Sequence, residues 1–214
     1  MYGAPSQMVL GLAPALAREG IKVTIITTNS NGQRGQKPLD VPLNFPIQKD
    51  GSEIIYFRCH PFRSYKFSLD LFQCLNFHAP TYDLAHIHAL FSPVSSVSAA
   101  ICRQHHLPYI LRPLGTLDPS DLQKKKYLKQ VYAAIIERSN LGGAAAIHFT
   151  SQQEAKVSYK FGVSTKDLVI PLGVNNREDS NNIQEYEKTN QQLGVITDIT
   201  IIFFMSRIDT KKGL

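Results

Sequence analysis

Three cysteines stand in 214 residues, at Cys59, Cys74 and Cys102, far apart and with no CxxC pair. That odd count and spacing exclude a disulfide framework and predict reduced thiols in a cytosolic protein. No apolar run approaches the ~20 residues that cross a bilayer, so no spanning helix is predicted. The opening "MYGAPSQMVLGLAPALAREG" lacks a basic n-region, and its apolar residues are periodic rather than continuous, which does not read as a signal peptide. Neither GxGxxG nor GxxxxGK[ST] occurs, which argues against dinucleotide and P-loop readings. Also missing are internal repeats, low-complexity tracts and any recognisable nucleic-acid-binding motif. The aromatics are not interleaved with the basic residues as on a single-strand platform, and no nucleic-acid partner is predicted.

What is present is the composition of a soluble globular protein, 43% hydrophobic and 19% charged. The length suits one good-sized domain, or one domain and the start of another. A formal charge of +6, from 23 Lys and Arg against 17 Asp and Glu, favours anionic partners without choosing among them.

Apolar periodicity predicts an alternating order of elements. A helix from Ser6 to Glu19 carries Met8, Val9, Leu12, Leu16 and Ala17 on one stripe, with Pro14 expected to kink it or end a bonding run. Gly20 stops it and "IKVTIITT" follows as a strand. Asn29 to Ser52 reads as a long loop. Then come "EIIYFRC" (strand), "FSLDLFQCLNFH" (helix), "DLAHIHA" (strand), "PVSSVSAAICRQHH" (helix) and "PYILRP" (strand). A longer helix is expected within Ser120 to Leu141, then "AAIHFT", "SQQEAKVSYKFG" and "DLVIPLGV" as strand, helix and strand. Short strands alternating with helices predict an α/β doubly wound, mostly parallel Rossmann-like sheet. Such folds normally begin on a strand, so the expected sheet lacks its first one. Residues 1–174 form the expected domain, 175–197 a polar linker, and 198–214 the truncated start of a second domain.

Ligands of open parallel sheets bind outside the carboxyl ends of the strands. Five stretches fall there. "YGAPSQ" leaves backbone N–H groups free for an anion or a sugar hydroxyl, or is an ordinary cap built on Ser6. His86 and His88, two apart on a strand, point to the same side of the sheet. No third metal ligand lies at a characteristic spacing, and His88, nearer the carboxyl end, is the better placed to touch a substrate. Arg112 ends its strand ahead of Gly115 and Thr116 and can grip a phosphate or carboxylate bidentately, or serve a structural ion pair. Ser151 and Glu154 fit a capping box. Arg207 and Lys212, past a buried strand, suit a diphosphate or are solvated turn charges.

In this order the stretches resemble the group 4 retaining glycosyltransferases of GT-B architecture, in which two Rossmann-like domains face each other across a cleft. "YGAPSQMVLGLAPALAREGIKVTIITT", "DLAHIHALFSP", "PYILRPLGTLDP", "IHFTSQQEA" and "VIPLGV" are similar to that family's successive landmarks, and "FFMSRIDTKKGL" to the opening of its second domain. The resemblance implies transfer of a sugar from a nucleotide-diphosphate donor to an acceptor hydroxyl with retention, in polysaccharide or lipid-linked glycan synthesis. It implies a nucleotide sugar and a glycan or lipid-linked acceptor as partners, with no metal or other cofactor. On this sequence it implies Gly3, Ala4, His88, Arg112, Gly115 and Thr116 on the acceptor side and Arg207 and Lys212 on the donor diphosphate.

Departures are visible too. Ala4 stands where a second glycine is usual, Leu114 where many relatives carry histidine, and Leu172 where asparagine is usual. The family's paired glutamates fall beyond Leu214, so the chain is expected to be an inactive partial enzyme whose catalytic residues are not identified. A non-catalytic binding module and a sugar-nucleotide epimerase of similar architecture remain the alternatives. The expected location is the cytoplasm. Lys124, Lys125 and Lys126, ahead of an apolar stripe, offer either peripheral contact with the membrane's cytoplasmic face or an ordinary packed helix.

Overall fold

The computed structural model describes residues 4–32, 36–62, 65–114, 136–158 and 165–173. The chain divides into two units, Met1–Gly173 and Val174–Leu214, and every described residue belongs to the first. The linker and donor-domain start expected at 175–197 and 198–214 lie outside the described residues.

Helix α1 spans Ala4–Arg18 and runs through Pro14. Proline removes only its own N–H from the ladder. Leu10, whose carbonyl loses that donor, is exposed and open to water. The helix therefore does not end at Pro14. It ends at Gly20, which takes φ +80° while its N–H donates to the Ala17 carbonyl and that of Ile21 to the Leu16 carbonyl. These two bonds satisfy carbonyls that the last turn would otherwise leave open.

Strand β1, Thr24–Thr28, pairs in parallel with β3, Ser52–Phe57. Residues 29–52 are not loop throughout. Pro46–Lys49 forms β2, antiparallel to β3, through a hairpin in which Lys49 faces Ser52. Asp50 and Gly51 make the turn, with φ +49° and +79°. Both central residues are left-handed, the two-residue geometry that follows strand twist and favours Asp-Gly. β4, His60–Phe62, pairs antiparallel with β5, Tyr65–Phe67, where no strand is predicted from the sequence.

Helix α2, Leu69–His78, opens on Ser68, whose hydroxyl accepts from the Leu71 N–H at 3.3 Å. The second sheet then builds in sequence order. β6 (Ala85–His88), β7 (Tyr109–Arg112), β8 (Ala146–Phe149) and β9 (Asp167–Val169) are all parallel, with each strand beside the next. Helix α3 (Pro93–Gln104) connects β6 to β7, α4 (Arg138–Gly142) precedes β8, and α5 (Gln152–Ser158) connects β8 to β9. Of the long helix expected within Ser120 to Leu141, only the end is among the described residues.

Strand parity sorts the side chains. Ile87, Tyr109, Leu111, Ile147 and Phe149 enter one core with Leu75, Ala99, Cys102 and Leu141 from the helices. The opposite face carries His86, His88, Arg112 and His148, and α1 meets it where Met8 contacts Arg112. This is the expected α/β, Rossmann-like parallel sheet, with one difference. Among the described residues no ladder joins β1 to β6, so the parallel strands lie in two sheets rather than one.

The hairpin supplies a stability test. Gly51→Ala forces an L-residue to φ +79° and places its Cβ 3.3 Å from that of Ala17. Urea unfolding should show a loss of about 1 kcal/mol, with Gly51→Asn losing less.

Candidate functional site

The carboxyl ends of β6 and β7 bring His88 and Arg112 together. They are direct partners across the ladder, so their side chains leave the sheet on the same face. Two residues back, His86 lies against His88 with ring centroids 4.4 Å apart. His148, from β8, stacks on His86 at 5.4 Å. His148 Nε2 lies 3.0 Å from the Ile170 carbonyl, which can only accept, so this nitrogen donates. Its Nδ1 lies 3.4 Å from His86 Nε2, and the two rings share a hydrogen bond. His86 is thus committed to the protein, whereas His88 Nδ1 is buried and has no partner.

Burial pushes His86 down to about 4, helped by His148 and Arg112. Burial pushes His88 down to about 3, with His86 and Arg112 adding to it. Both rings are neutral at physiological pH. Arg112 is only 2% exposed. Its guanidinium donates to the Met8 sulfur, and its Nε has no partner. Burial presses its pKa downward, against an opposing pull from the Glu154 carboxylate.

The loops beyond these strands are held in uncommon conformations. Ala89 (φ +74°), Phe91 (+57°) and Leu114 (+56°) are all left-handed without being glycine. Two bonds restrain the first of these loops. The Ala89 N–H donates to the Arg112 carbonyl at 2.9 Å, extending the β6–β7 ladder into the turn. The Phe91 N–H donates to Glu137 at 2.8 Å. Glu137 is 1% exposed and also accepts from the Ser96 hydroxyl at 2.6 Å. Its charge sits at the N-terminus of α3, where helix dipole and free N–H groups favour an anion. Asn140 extends the network, donating to the Ser96 carbonyl and accepting the Tyr109 hydroxyl at its own carbonyl.

The Ser151–Glu154 box forms with a one-residue variation. Ser151 Oγ accepts from the Glu154 N–H at 3.1 Å, while the Glu154 carboxylate reaches the Thr150 N–H and hydroxyl, each at 2.8 Å. Among the other predicted residues, Ala4 begins α1 one turn ahead of Met8. Gly3, Gly115, Thr116, Arg207 and Lys212 lie outside the described residues. His148, Met8 and Glu137 have no counterpart in the sequence-based set. Strand parity alone could have offered His148, given the register of β8 on β7. Among the described residues no group of three or more His, Cys, Asp or Glu side chains is arranged to hold a metal ion.

A Rossmann-like parallel sheet receives its ligand outside the carboxyl ends of its strands, and the polar cluster stands there. The family is established by sequence: residues 3–173 match the glycosyl transferase 4-like domain, and the chain belongs to that family of GT-B glycosyltransferases. A solved structure of sucrose-phosphate synthase from Thermosynechococcus elongatus is similar over 86% of this chain and 92% of that one, at 16% identity and a TM-score of 0.45. That likeness is too distant to carry an argument. No curated protein matches the chain.

Two measurements probe the site. Unfolded histidines titrate near 6.5, so between about pH 6.5 and 4 the unfolded chain binds protons that His86 and His88 refuse when folded. Stability is therefore full above pH 6.5 and falls on acidification, by about 1 kcal/mol per histidine between pH 7.5 and 5.5. Urea titrations at the two pH values should show the fall, and His88→Asn should reduce it. Separately, Glu137→Leu removes the acceptor of two buried donors and should cost roughly 3 kcal/mol in the same assay.

Proposed function

We propose that the chain is the acceptor-holding part of a retaining glycosyltransferase, which moves a sugar from a nucleotide-diphosphate donor to an acceptor hydroxyl in polysaccharide or lipid-linked glycan synthesis. One observation carries this reading. In a chain of the glycosyl transferase 4-like family, a neutral His88 and a buried Arg112 stand side by side at the strand ends, with α1 over the same face. Gly3, Ala4, Gly115 and Thr116 complete the acceptor side, and Arg207 and Lys212 receive the donor diphosphate.

The chemistry follows from the charges. A ring pushed down to about 3 is a weak base, so His88 acts by accepting or donating a hydrogen bond that positions the acceptor, not by removing its proton. The leaving diphosphate is neutralised by Arg207 and Lys212, so no metal is required. Three free thiols support a reducing, cytoplasmic location. A lipid-linked acceptor would bring the protein to the membrane's cytoplasmic face, where the Lys124–Lys126 run is a suitable contact.

The test is turnover by the complete reading frame that encodes the chain, supplied with nucleoside-diphosphate sugars and glycan acceptors. The expected result is nucleoside diphosphate release coupled to a glycoside of unchanged anomeric configuration by NMR. His88→Ala should lower kcat/KM tenfold or more, because positioning of the acceptor is lost. Recovery of an epimerised nucleotide sugar would replace the proposal with an epimerase. Acceptor binding with no turnover of any donor would replace it with a binding module.

A further inference from the structure

A buried guanidinium is the costliest group on the polar face, and among the described residues it is unmatched. Arg112 is 2% exposed and stays charged, since arginine does not deprotonate in proteins. Among the described residues its one hydrogen bond goes to a thioether, a weak acceptor, and its Nε has none. Among the described residues no carboxylate forms an ion pair with it. Glu154, the acid that influences it, is turned to the Thr150 N–H and hydroxyl. A charge removed from water without a partner is strongly destabilising, so such sites normally hold a counter-ion.

The surroundings say where the counter-ion belongs. His88 is the ladder partner of Arg112, and its Nδ1 is the other orphaned nitrogen on this face. His86 and His148 are bonded to each other and to the Ile170 carbonyl, and cannot supply negative charge. Two residues that each keep an unpartnered nitrogen, one of them cationic, are thus direct ladder partners at the carboxyl ends of adjacent parallel strands. A neutral sugar hydroxyl would satisfy a hydrogen bond there but leave the charge uncompensated. An oxyanion satisfies both, accepting from the guanidinium and from a proton on His88 Nδ1.

We propose that Arg112 and His88 bind an oxyanion, a phosphate or a carboxylate carried by the acceptor, so that the acceptor is an anionic sugar derivative rather than a neutral glycan. This rests on the acceptor-side reading given above and narrows its substrate class.

The test uses the full chain and reads the Arg112 Nε–Hε signal by ¹H–¹⁵N NMR. Inorganic phosphate and pyrophosphate represent one source of the oxyanion, glucuronate the other, and glucose is the neutral control. The expected result is a saturable shift of that signal with at least one anion and none with glucose, and the anion that binds tighter names the source. Arg112→Met should weaken binding of that anion at least tenfold by calorimetry, because the charge-assisted bonds are gone. It should also leave the ligand-free chain melting no lower than the parent, since an unmatched buried cation has been removed. A structural arginine predicts the opposite, a lower melting temperature. No shift with any anion, or an equal shift with glucose, would overturn the proposal. Turnover of a neutral acceptor in preference to an anionic one would overturn it too, while leaving the transferase reading intact. Anion binding without any turnover would remove the transferase reading alone.

Discussion

A single buried carboxylate holds the site's framework together. Glu137 lies 46 residues from Phe91 and 41 from Ser96, yet its Oε1 takes both of their protons. One contact fixes the loop that leaves β6; the other fixes the first turns of α3. The carboxylate lies by the N-terminus of α3, where the helix dipole favours an anion, and the Phe91 N–H and Ser96 hydroxyl stand in for water. Asn140 and Tyr109 then tie the same spot to α4 and β7. The left-handed turns at Ala89 and Phe91 persist because this network over-determines them, and they set where the chain goes after His88.

Among the described residues the Glu137 network leaves one buried atom, Asn140 Oδ1, without a partner; the opposite face of the sheet leaves two. His86 and His148 are paired and anchored to the Ile170 carbonyl, whereas His88 and Arg112 each keep a nitrogen without a partner. Such incompleteness is costly in a core but natural in a site, where a ligand supplies what the protein withholds. His86 lies one same-face position deeper than His88, whereas His148 follows Ile147 on β8 and continues the row of His88 and Arg112 at the carboxyl end, where an open parallel sheet receives its ligand.

Locally encoded features were legible in the sequence. The α1 stripe and its Gly20 stop, the Ser151 cap, the four strands of the second sheet and the shared side of His86 and His88 all follow from spacing within a few residues. What escaped depends on distance along the chain. β2, "PIQK", has one aliphatic side chain, and its strand character comes from the Asp50–Gly51 turn that folds it onto β3. His148 joins the cluster only through the register of β8 on β7, which no local pattern specifies. Glu137 reads as one more charge on an amphipathic helix until its partners, dozens of residues away, are known. Pro14 stands inside α1 as its sequence position implied, and the residue whose carbonyl it deprives, Leu10, is exposed.

The two-sheet arrangement has a material consequence. β1 and β6 each have a strand on one side only among the described residues, and β1, "TIITT", is β-branched throughout. An unpaired strand edge of that kind is a ready template on which another extended chain can grow. The net charge of +6 does not cover those two edges; only polypeptide lying along them does.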